Sequence, residues 1–465
     1  MAGIFKAYDI RGVVGDFLTP QVAYLIGRAL AARVFQAGNT LTLTRDMRTH
    51  SPQMFDELGR GLREGGVSTL EIGLAPTPMN YWAINRFATD GGVQVTASHN
   101  GPTYNGFKVS GAGAVPHDYD SALRHVEEFV LDALENGASA PAKIPGVTRK
   151  IEEVAGAVSS YLDWMSTFCA FGDRKLRIGI DAGNGMGGFF LTDFFARFPQ
   201  FELVPLFFEL DGTFPNHEAD PLKAENLHDI EALVHTQNLD LGVAFDGDAD
   251  RCMFVDERGT SISSDLITAL IAGAMLSETP GPILYDLRSS KAVPEWIEEH
   301  GGQAVRGRVG HTFMKRLLKE TGARFGGELS GHYYFADCFH TDSGLMALIQ
   351  VLNLLTHSEV PLSQHVAPLR RYSATGEINY RVADVAATLS KLESHYSAQN
   401  ATLDHLDGLT VELGDIKIGG WWFNLRSSNT EPLLRLNLEA KTPEERDAHL
   451  SEVQQLLGAS PVAGY

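Results

Sequence analysis

Cysteine is scarce in this chain: Cys169, Cys252 and Cys338 are all that 465 residues contain, far apart and odd in number. They form no disulfide framework and no zinc-ligand spacing, which suits a reducing compartment, and a cytoplasmic location is expected. Positive charge is scarce too, with 38 Lys and Arg against 58 Asp and Glu and a net charge of -20. A sequence-independent nucleic-acid binder needs a basic stripe, so no nucleic-acid partner is expected. The acidic surface repels anions at long range, so any phosphate site must gather its own Arg and Lys. No apolar run approaches the ~20 residues of a membrane span. Residues 1–6 hold no apolar stretch of the signal-peptide kind, so neither membrane nor export is expected. Gly-x-Ser-x-Gly is absent around Ser98, which disfavours a serine hydrolase.

What remains is an ordinary globular composition, 44% hydrophobic and 21% charged. The length suffices for several domains of about 100–150 residues each. Residues 20–36 show helical apolar spacing behind a Thr19-Pro20 cap, residues 41–44 read as a strand, and Ser51-Pro52 opens a second helix. Residues 68–72 and 92–95 read as further strands. The alternation recurs from Arg177 and again from Ile283. Strands alternating with helices imply largely parallel sheets. The expected fold class is therefore α/β: three similar α/β/α mixed-sheet domains, then a smaller α+β domain. Expected boundaries are 1–145, 146–252, 253–367 and 368–465, with residues 137–147 as the first linker.

Four stretches carry chemistry. The first is Thr96-Ala97-Ser98-His99-Asn100-Gly101, where a buried strand ends and glycine, proline and asparagine prevent a helix. Ser98 thus stands on a loop at a strand's carboxyl end, where open α/β sheets place ligands. The second is Asp246-Gly247-Asp248-Ala249-Asp250-Arg251. Its three carboxylates at i, i+2 and i+4 can converge on one hard cation, Mg²⁺ where phosphate is handled. An EF-hand is the rival, since Glu257 stands twelfth, but Arg251 occupies the position of the sharp-turn glycine and both flanks look like strands. The third stretch is Gly310-His311 together with Glu328, Ser330 and His332, whose alternation would turn three polar side chains to one side of an extended backbone. Such a set fits sugar hydroxyls. His217, His228 and His357 read as surface or satisfied core residues. The fourth is Arg426-Ser427-Ser428-Asn429-Thr430, a planar fork with hydroxyl and amide donors suited to a phosphate dianion.

In this order, at domain-sized intervals, the four stretches resemble the α-D-phosphohexomutase family across nearly the whole chain, most closely its bacterial phosphomannomutase/phosphoglucomutase subgroup. The resemblance implies that Ser98 carries a phosphoryl group and that Ser98, Asp246, Asp248 and Asp250 bind Mg²⁺. It implies reversible transfer between the 1 and 6 positions of a hexose phosphate, through a hexose 1,6-bisphosphate that turns over in a central cleft. Arg11, Lys108 and Arg251 would screen or hold the transferring group. Lys108 or His311 would serve as acid/base. Tyr8, Arg288, Gly310, His311, Glu328, Ser330 and His332 would meet the sugar phosphate. Arg426, Ser428, Asn429 and Thr430 would hold its unreacting phosphate, clamped by a moving fourth domain. The expected partner is a phosphosugar, and the protein a monomer or weak homo-oligomer.

Three departures stand out. The family usually has Pro directly after the His-Asn of the serine loop, where this chain has Gly101, so a looser loop is expected. Leu329 stands where the subgroup often has Met, and Arg288 where relatives often place Lys. The alternatives are a phosphoglucosamine mutase, a Mg²⁺-dependent phosphatase in which water takes the phosphoryl group, and a non-catalytic sugar-phosphate binder.

Overall fold

The computed structural model describes residues 3–137, 145–427 and 433–462. Four sheets follow one another along the chain. The first holds β1 (Ile10–Val13), β2 (Thr40–Arg45), β3 (Ser68–Leu74), β4 (Gly91–Val95), β5 (Tyr104–Gly111) and β6 (Arg149–Ile151), in the order β1-β5-β4-β2-β3-β6. The second holds β7 (Leu176–Asp181), β8 (Phe201–Leu206), β9 (Leu241–Phe245), β10 (Cys252–Val255) and β11 (Ser261–Ile262), in the order β11-β10-β9-β7-β8. The third holds β12 (Pro282–Asp286), β13 (Gln303–Gly307), β14 (Phe325–Gly327), β15 (Tyr333–Phe335) and β16 (Thr341–Asp342), in the order β13-β12-β14-β15-β16.

The three sheets share one device. Each is parallel at its centre and then reverses: β4 is followed by antiparallel β5, β9 by β10, and β14 by β15. The reversal loops are the serine loop, the triple-aspartate loop and the Glu328–His332 loop. A mixed sheet therefore delivers one chemistry-bearing turn from each unit. The fourth sheet is antiparallel throughout: β17 (Ser373–Tyr380), β18 (Thr402–Asp404), β19 (Leu409–Leu413), β20 (Trp421–Ser427), β21 (Leu434–Ala440) and β22 (Pro461–Val462).

The helix signals hold at their starts. Thr19 caps the helix Pro20–Arg33 through its hydroxyl, and Thr442 with Glu445 forms a reciprocal capping box on Pro443–Leu457. The first helix ends three residues before the expected 36, with Val34 as its cap. Residues 149–151 pair in parallel with β3, and β10 and β11 pair inside the second sheet. The first sheet thus takes in residues beyond 145 and the second residues beyond 252. Residues 138–144 of the expected linker lie outside the described residues.

One apolar cluster, from Ile4 to Ala133, fills the first unit. A larger one is shared by the second and third units and takes in Ile72, Met79, Trp82 and Ala83 from the first. A third, from Tyr380 to Leu457, belongs to the C-terminal unit. That unit meets the third through ion pairs, Lys291–Glu412 at 2.5 Å and Arg306–Asp404 at 2.5 Å. Among the described residues, no helix is long and apolar enough to cross a membrane.

Candidate active site

β4, Gly91–Val95, is buried at every residue. Just beyond it the Thr96 hydroxyl accepts from the Ser98 N–H at 2.9 Å. Ser98 itself is 1% exposed and has a φ of 51°, a left-handed conformation that costs a non-glycine residue about 1–2 kcal/mol. In that conformation its Oγ donates to Asp246 Oδ2 at 2.9 Å and lies 3.2 Å from His99 Nδ1. The serine and aspartate loops meet backbone to backbone: a Cβ on Gly247 would lie 2.5 Å from the Ser98 carbonyl oxygen. Only glycine allows that approach.

Asp246, Asp248 and Asp250 are buried, and each offers an oxygen within 4.8 Å of the others'. Lys108, from β5, puts its Nζ 2.7 Å from Asp248 Oδ2 and 2.5 Å from Asp250 Oδ2. Thr77 donates its hydroxyl to Asp248 Oδ2 at 2.5 Å and its N–H to the Asp248 carbonyl at 3.0 Å. Burial pushes the Asp246 carboxyl well above the usual range, and Asp250 and Asp248 add to this. Burial also opposes charge on Lys108 and Asp250, yet their pairing prevails: Lys108 is held above its usual value and Asp250 well below. Two of the carboxylates thus share one ammonium, Arg251 Nε lies 3.8 Å from the third, and Asp248 Oδ1 is buried with no hydrogen-bond partner among the described residues. An all-oxygen set with excess negative charge and a spare lone pair fits a hard divalent cation.

The third reversal loop brings Glu328, Ser330 and His332 together, but not by strand alternation. Residues 328–331 form a tight turn, closed by Gly331 N–H to the Glu328 carbonyl at 3.1 Å and Glu328 N–H to the His332 carbonyl at 2.9 Å. The turn sets His332 Nδ1 3.0 Å from Ser330 Oγ and 3.4 Å from Glu328 Oε2. Its Nε2 accepts from Arg251 Nε at 3.2 Å and lies 3.5 Å from Asp250 Oδ1. That network assigns the ring proton to Nδ1. Burial and Arg251 lower the proton affinity of His332, but Asp250 and Glu328 carry it above the ordinary value.

Glu328 accepts from Gly310 N–H at 2.7 Å and from the Tyr334 hydroxyl. Its burial is outweighed by His332 and Arg288, which bring it down to about 2. His311 opens the helix His311–Thr321. Burial pushes it well below the ordinary histidine value, helped by Lys315 and Lys108. Tyr8 fills the space that Gly310 leaves: a Cβ there would lie 2.7 Å from the Tyr8 ring. The Tyr8 hydroxyl donates to the Val309 carbonyl at 3.2 Å, and its ring meets that of His311 edge-on at 5.6 Å.

Arg11 reaches the serine loop at Asn100 Oδ1, 2.5 Å away, and pairs with Asp9. Arg288 and Arg426 converge from different units on Glu377, at 3.5 and 2.8 Å, with Arg435 at 3.2 Å. Arg288 also pairs with Asp286 at 2.7 Å. The result is a cluster with cationic excess, as phosphate capture requires in so acidic a chain. Ser428, Asn429 and Thr430 lie outside the described residues.

Sequence reading passed over several contributors. Thr77 looked only like a helix start, and Glu377 and Arg435 like unremarked strand residues. Lys315 and Asp342, an ion pair at 3.1 Å buried behind His311 and His332, also went unread. So did Arg48, whose only signal was a charged pair two residues apart after a strand. The expected looseness at Gly101 meets a loop that Arg48 ties at four carbonyls, described below.

Four family descriptions match the chain in order. They are "Phosphoglucomutase/phosphomannomutase, alpha/beta/alpha domain I" over residues 2–132, domain II over 159–259, domain III over 263–372, and the C-terminal domain over 377–453. A phosphoglucomutase of Neisseria gonorrhoeae is 37% identical over 446 residues, covering 94% of this chain and 93% of that protein. A phosphomannomutase of Salmonella montevideo is 34% identical, covering 98% and 99%. Among solved structures, a phosphoglucomutase/phosphomannomutase family protein of Burkholderia thailandensis superposes with a TM-score of 0.87 at 32% identity, covering 98% of each chain.

Proposed function

The chain belongs to the phosphoglucomutase/phosphomannomutase family, and from that premise we propose how its own residues move a phosphoryl group between the 1 and 6 positions of a hexose phosphate. The observation that carries the reading is Ser98 Oγ at 2.9 Å from Asp246, the first of three buried carboxylates. Ser98 is the phosphoryl carrier. A Mg²⁺ held by Asp246, Asp248, Asp250 and the serine would supply charge neutralisation at the transferring group. The family's metal dependence and the spare Asp248 oxygen support this. The substrates are glucose and mannose phosphates, with hexose 1,6-bisphosphate as intermediate and activator. Four units divide the labour: residues up to about 152, on to about 262, on to about 372, and the remainder.

Phosphoryl transfer asks for in-line placement and charge neutralisation more than for covalent help. Lys108 and Arg251 surround the carboxylates and offset charge on the transferring group. Arg11 steadies Asn100 beside the serine. For the proton of the sugar hydroxyl, the geometry favours His332 over both Lys108 and His311. Lys108 is locked as an ammonium between two aspartates, and burial keeps His311 neutral and a poor base. His332 holds Nε2 beside Asp250 and Arg251, while Glu328 stabilises the proton on Nδ1, and Arg251 must turn aside for Nε2 to take the sugar's proton. Tyr8, Gly310, Glu328 and Ser330 border the sugar. Arg288 and Arg426, with Ser428, Asn429 and Thr430, take the phosphate that is not reacting. Remote phosphate binding then orients the reacting end. The ion-paired seam between the third and fourth units lets the fourth close over the ligand and exclude water.

The test is a coupled assay of the purified protein with Mg²⁺. Mannose 1-phosphate and glucose 1-phosphate are offered separately, each with a trace of glucose 1,6-bisphosphate. Isomerised 6-phosphate without free phosphate is expected, and Ser98→Ala abolishes it while leaving the fold intact. Free phosphate alone would make the protein a phosphatase, and isomerisation only of glucosamine phosphate would move it to that subgroup.

A further inference from the structure

Arg48 lies three residues beyond the end of β2, and its side chain is fully buried. An arginine has five N–H donors, and here each has its own acceptor. Nε donates to Asp46 Oδ2 at 3.1 Å. Nη1 donates to the carbonyls of Gly101 at 2.8 Å and Tyr104 at 3.1 Å. Nη2 donates to those of Ser98 at 2.7 Å and Asn100 at 2.5 Å. Four of the five acceptors are main-chain oxygens of the reversal loop 98–104. The loop is wound around one guanidinium as it would be around a bound ion.

The second unit covers this centre from outside. The Phe214 ring lies over the guanidinium at 5.0 Å, and a Cβ on Gly212 would lie 2.6 Å from Arg48 Cα. Asp46 is fixed in turn by the Ser51 hydroxyl at 2.5 Å and the Arg48 N–H at 3.0 Å. Asn105, at the far end of the loop, donates to Ser51 Oγ at 2.9 Å.

We propose that Arg48 is a positioning residue for Ser98. By collecting the loop's carbonyls it holds the serine in its left-handed conformation and so keeps Oγ directed at Asp246. This rests on the reading of Ser98 as phosphoryl carrier. Arg48 does not touch the hydroxyl. It acts through the main chain, and because Phe214 and Gly212 close over it, the serine's placement depends on contact between the first and second units. Lysine cannot replace it, since an ammonium has three donors and no planar fork. The Gly101 carbonyl is one of the four acceptors, so this cation holds the loop at its glycine.

The test compares wild-type protein with Arg48→Lys. Both are loaded with glucose 1,6-bisphosphate, followed by intact mass for phosphorylation of Ser98 and for its decay without sugar, and assayed for kcat and KM. A displacement of about 1 Å at the reacting atom costs about 10²-fold in rate, so kcat of the variant should fall by about that factor. KM for the sugar phosphate should stay near the wild-type value, and the phosphoserine should decay several-fold faster. Arg48→Ala should regain part of its kcat on addition of guanidinium ion. Wild-type kcat and phosphoserine lifetime in Arg48→Lys would overturn the inference. Failure of wild-type Ser98 to take a phosphoryl group would overturn the mutase reading and this inference with it. Should the variants not fold, amide exchange on the wild-type protein decides: residues 98–104 should open only with the flanking β4 and β5, and exchange far faster than those strands would refute the tie.

Discussion

Thr77 grips Asp248 at two points, its hydroxyl 2.5 Å from Oδ2 and its N–H 3.0 Å from the main-chain carbonyl. The helix Thr77–Arg86 of the first unit thereby fixes a carboxylate of the second. Groups that orient a metal ligand are typically worth about 10–100-fold in metal affinity. Thr77→Val should raise the Mg²⁺ concentration for half-maximal activity within that range while leaving KM for the sugar phosphate nearly unchanged. A Mg²⁺ titration of activity reads it.

Lys108 neutralises two buried aspartates at 2.7 and 2.5 Å. Removing one partner of a buried ion pair costs about 3–5 kcal/mol, because the other is left charged and dry. Lys108→Met should therefore melt well below the wild type in chelator. Added Mg²⁺ should restore more stability to the variant than to the wild type. Its turnover should still fall by about 10²–10³-fold, the scale of losing one preorganised charge at the reacting group. Melting curves with and without Mg²⁺ check the first part, and the coupled assay the second.

Arg426 donates to Glu377 at 2.8 Å within a cluster that also draws in Arg288 and Arg435. A hydrogen bond to a charged group contributes about 1.5–3 kcal/mol. Arg426→Ala should then raise KM by about 10–100-fold, while Ser98 still accepts a phosphoryl group from the bisphosphate. Steady-state kinetics with intact-mass analysis of Ser98 separate the two effects.

His217 sits between two acceptors, with Nε2 2.9 Å from Asp181 Oδ2 and Nδ1 2.8 Å from the Glu218 carbonyl. The charged ring can donate to both. Burial opposes this, but the hydrogen bond and charge of Asp181 raise the histidine above its ordinary value, with Asp229 adding to them. A raised folded value stabilises the protein fully below the unfolded value of about 6.5 and loses that contribution as pH rises through the folded value. The wild-type melting temperature should carry a downward step above about pH 6.5 that His217→Gln lacks. Melting temperature against pH, for both proteins, is the measurement.

Much of the site was legible because its chemistry is concentrated in short turns. Ser98 and the three aspartates needed only a strand end, helix-breaking neighbours and unusual charge. The Glu328–His332 group was recognised for its side chains but assigned the wrong backbone: alternation along a strand and the tight turn 328–331 both bring i, i+2 and i+4 together. Thr77, Arg48 and Glu377 were not legible for a common reason. Each acts on residues remote in sequence, Thr77 on Asp248 and Glu377 on Arg288, and Arg48 through main-chain carbonyls that carry no side-chain signature at all. The parallel cores of the sheets followed from periodicity. The short strands β6, β18 and β22 did not, because three-residue or two-residue strands are fixed by the partner they meet rather than by their own pattern.

The division of the apolar clusters also sets an order of assembly during synthesis. The first cluster is complete once Ala133 has left the ribosome. The shared cluster cannot close until Leu369 arrives, although Ile72, Met79 and Trp82 have been waiting on the nascent chain since its first hundred residues. Until the helix Val154–Ser166 emerges to set Tyr161 against Trp82, the helix Thr77–Arg86 therefore keeps part of its apolar face uncovered, a target for chaperones and a site of premature association. The last cluster begins at Tyr380 and is laid onto a platform already finished.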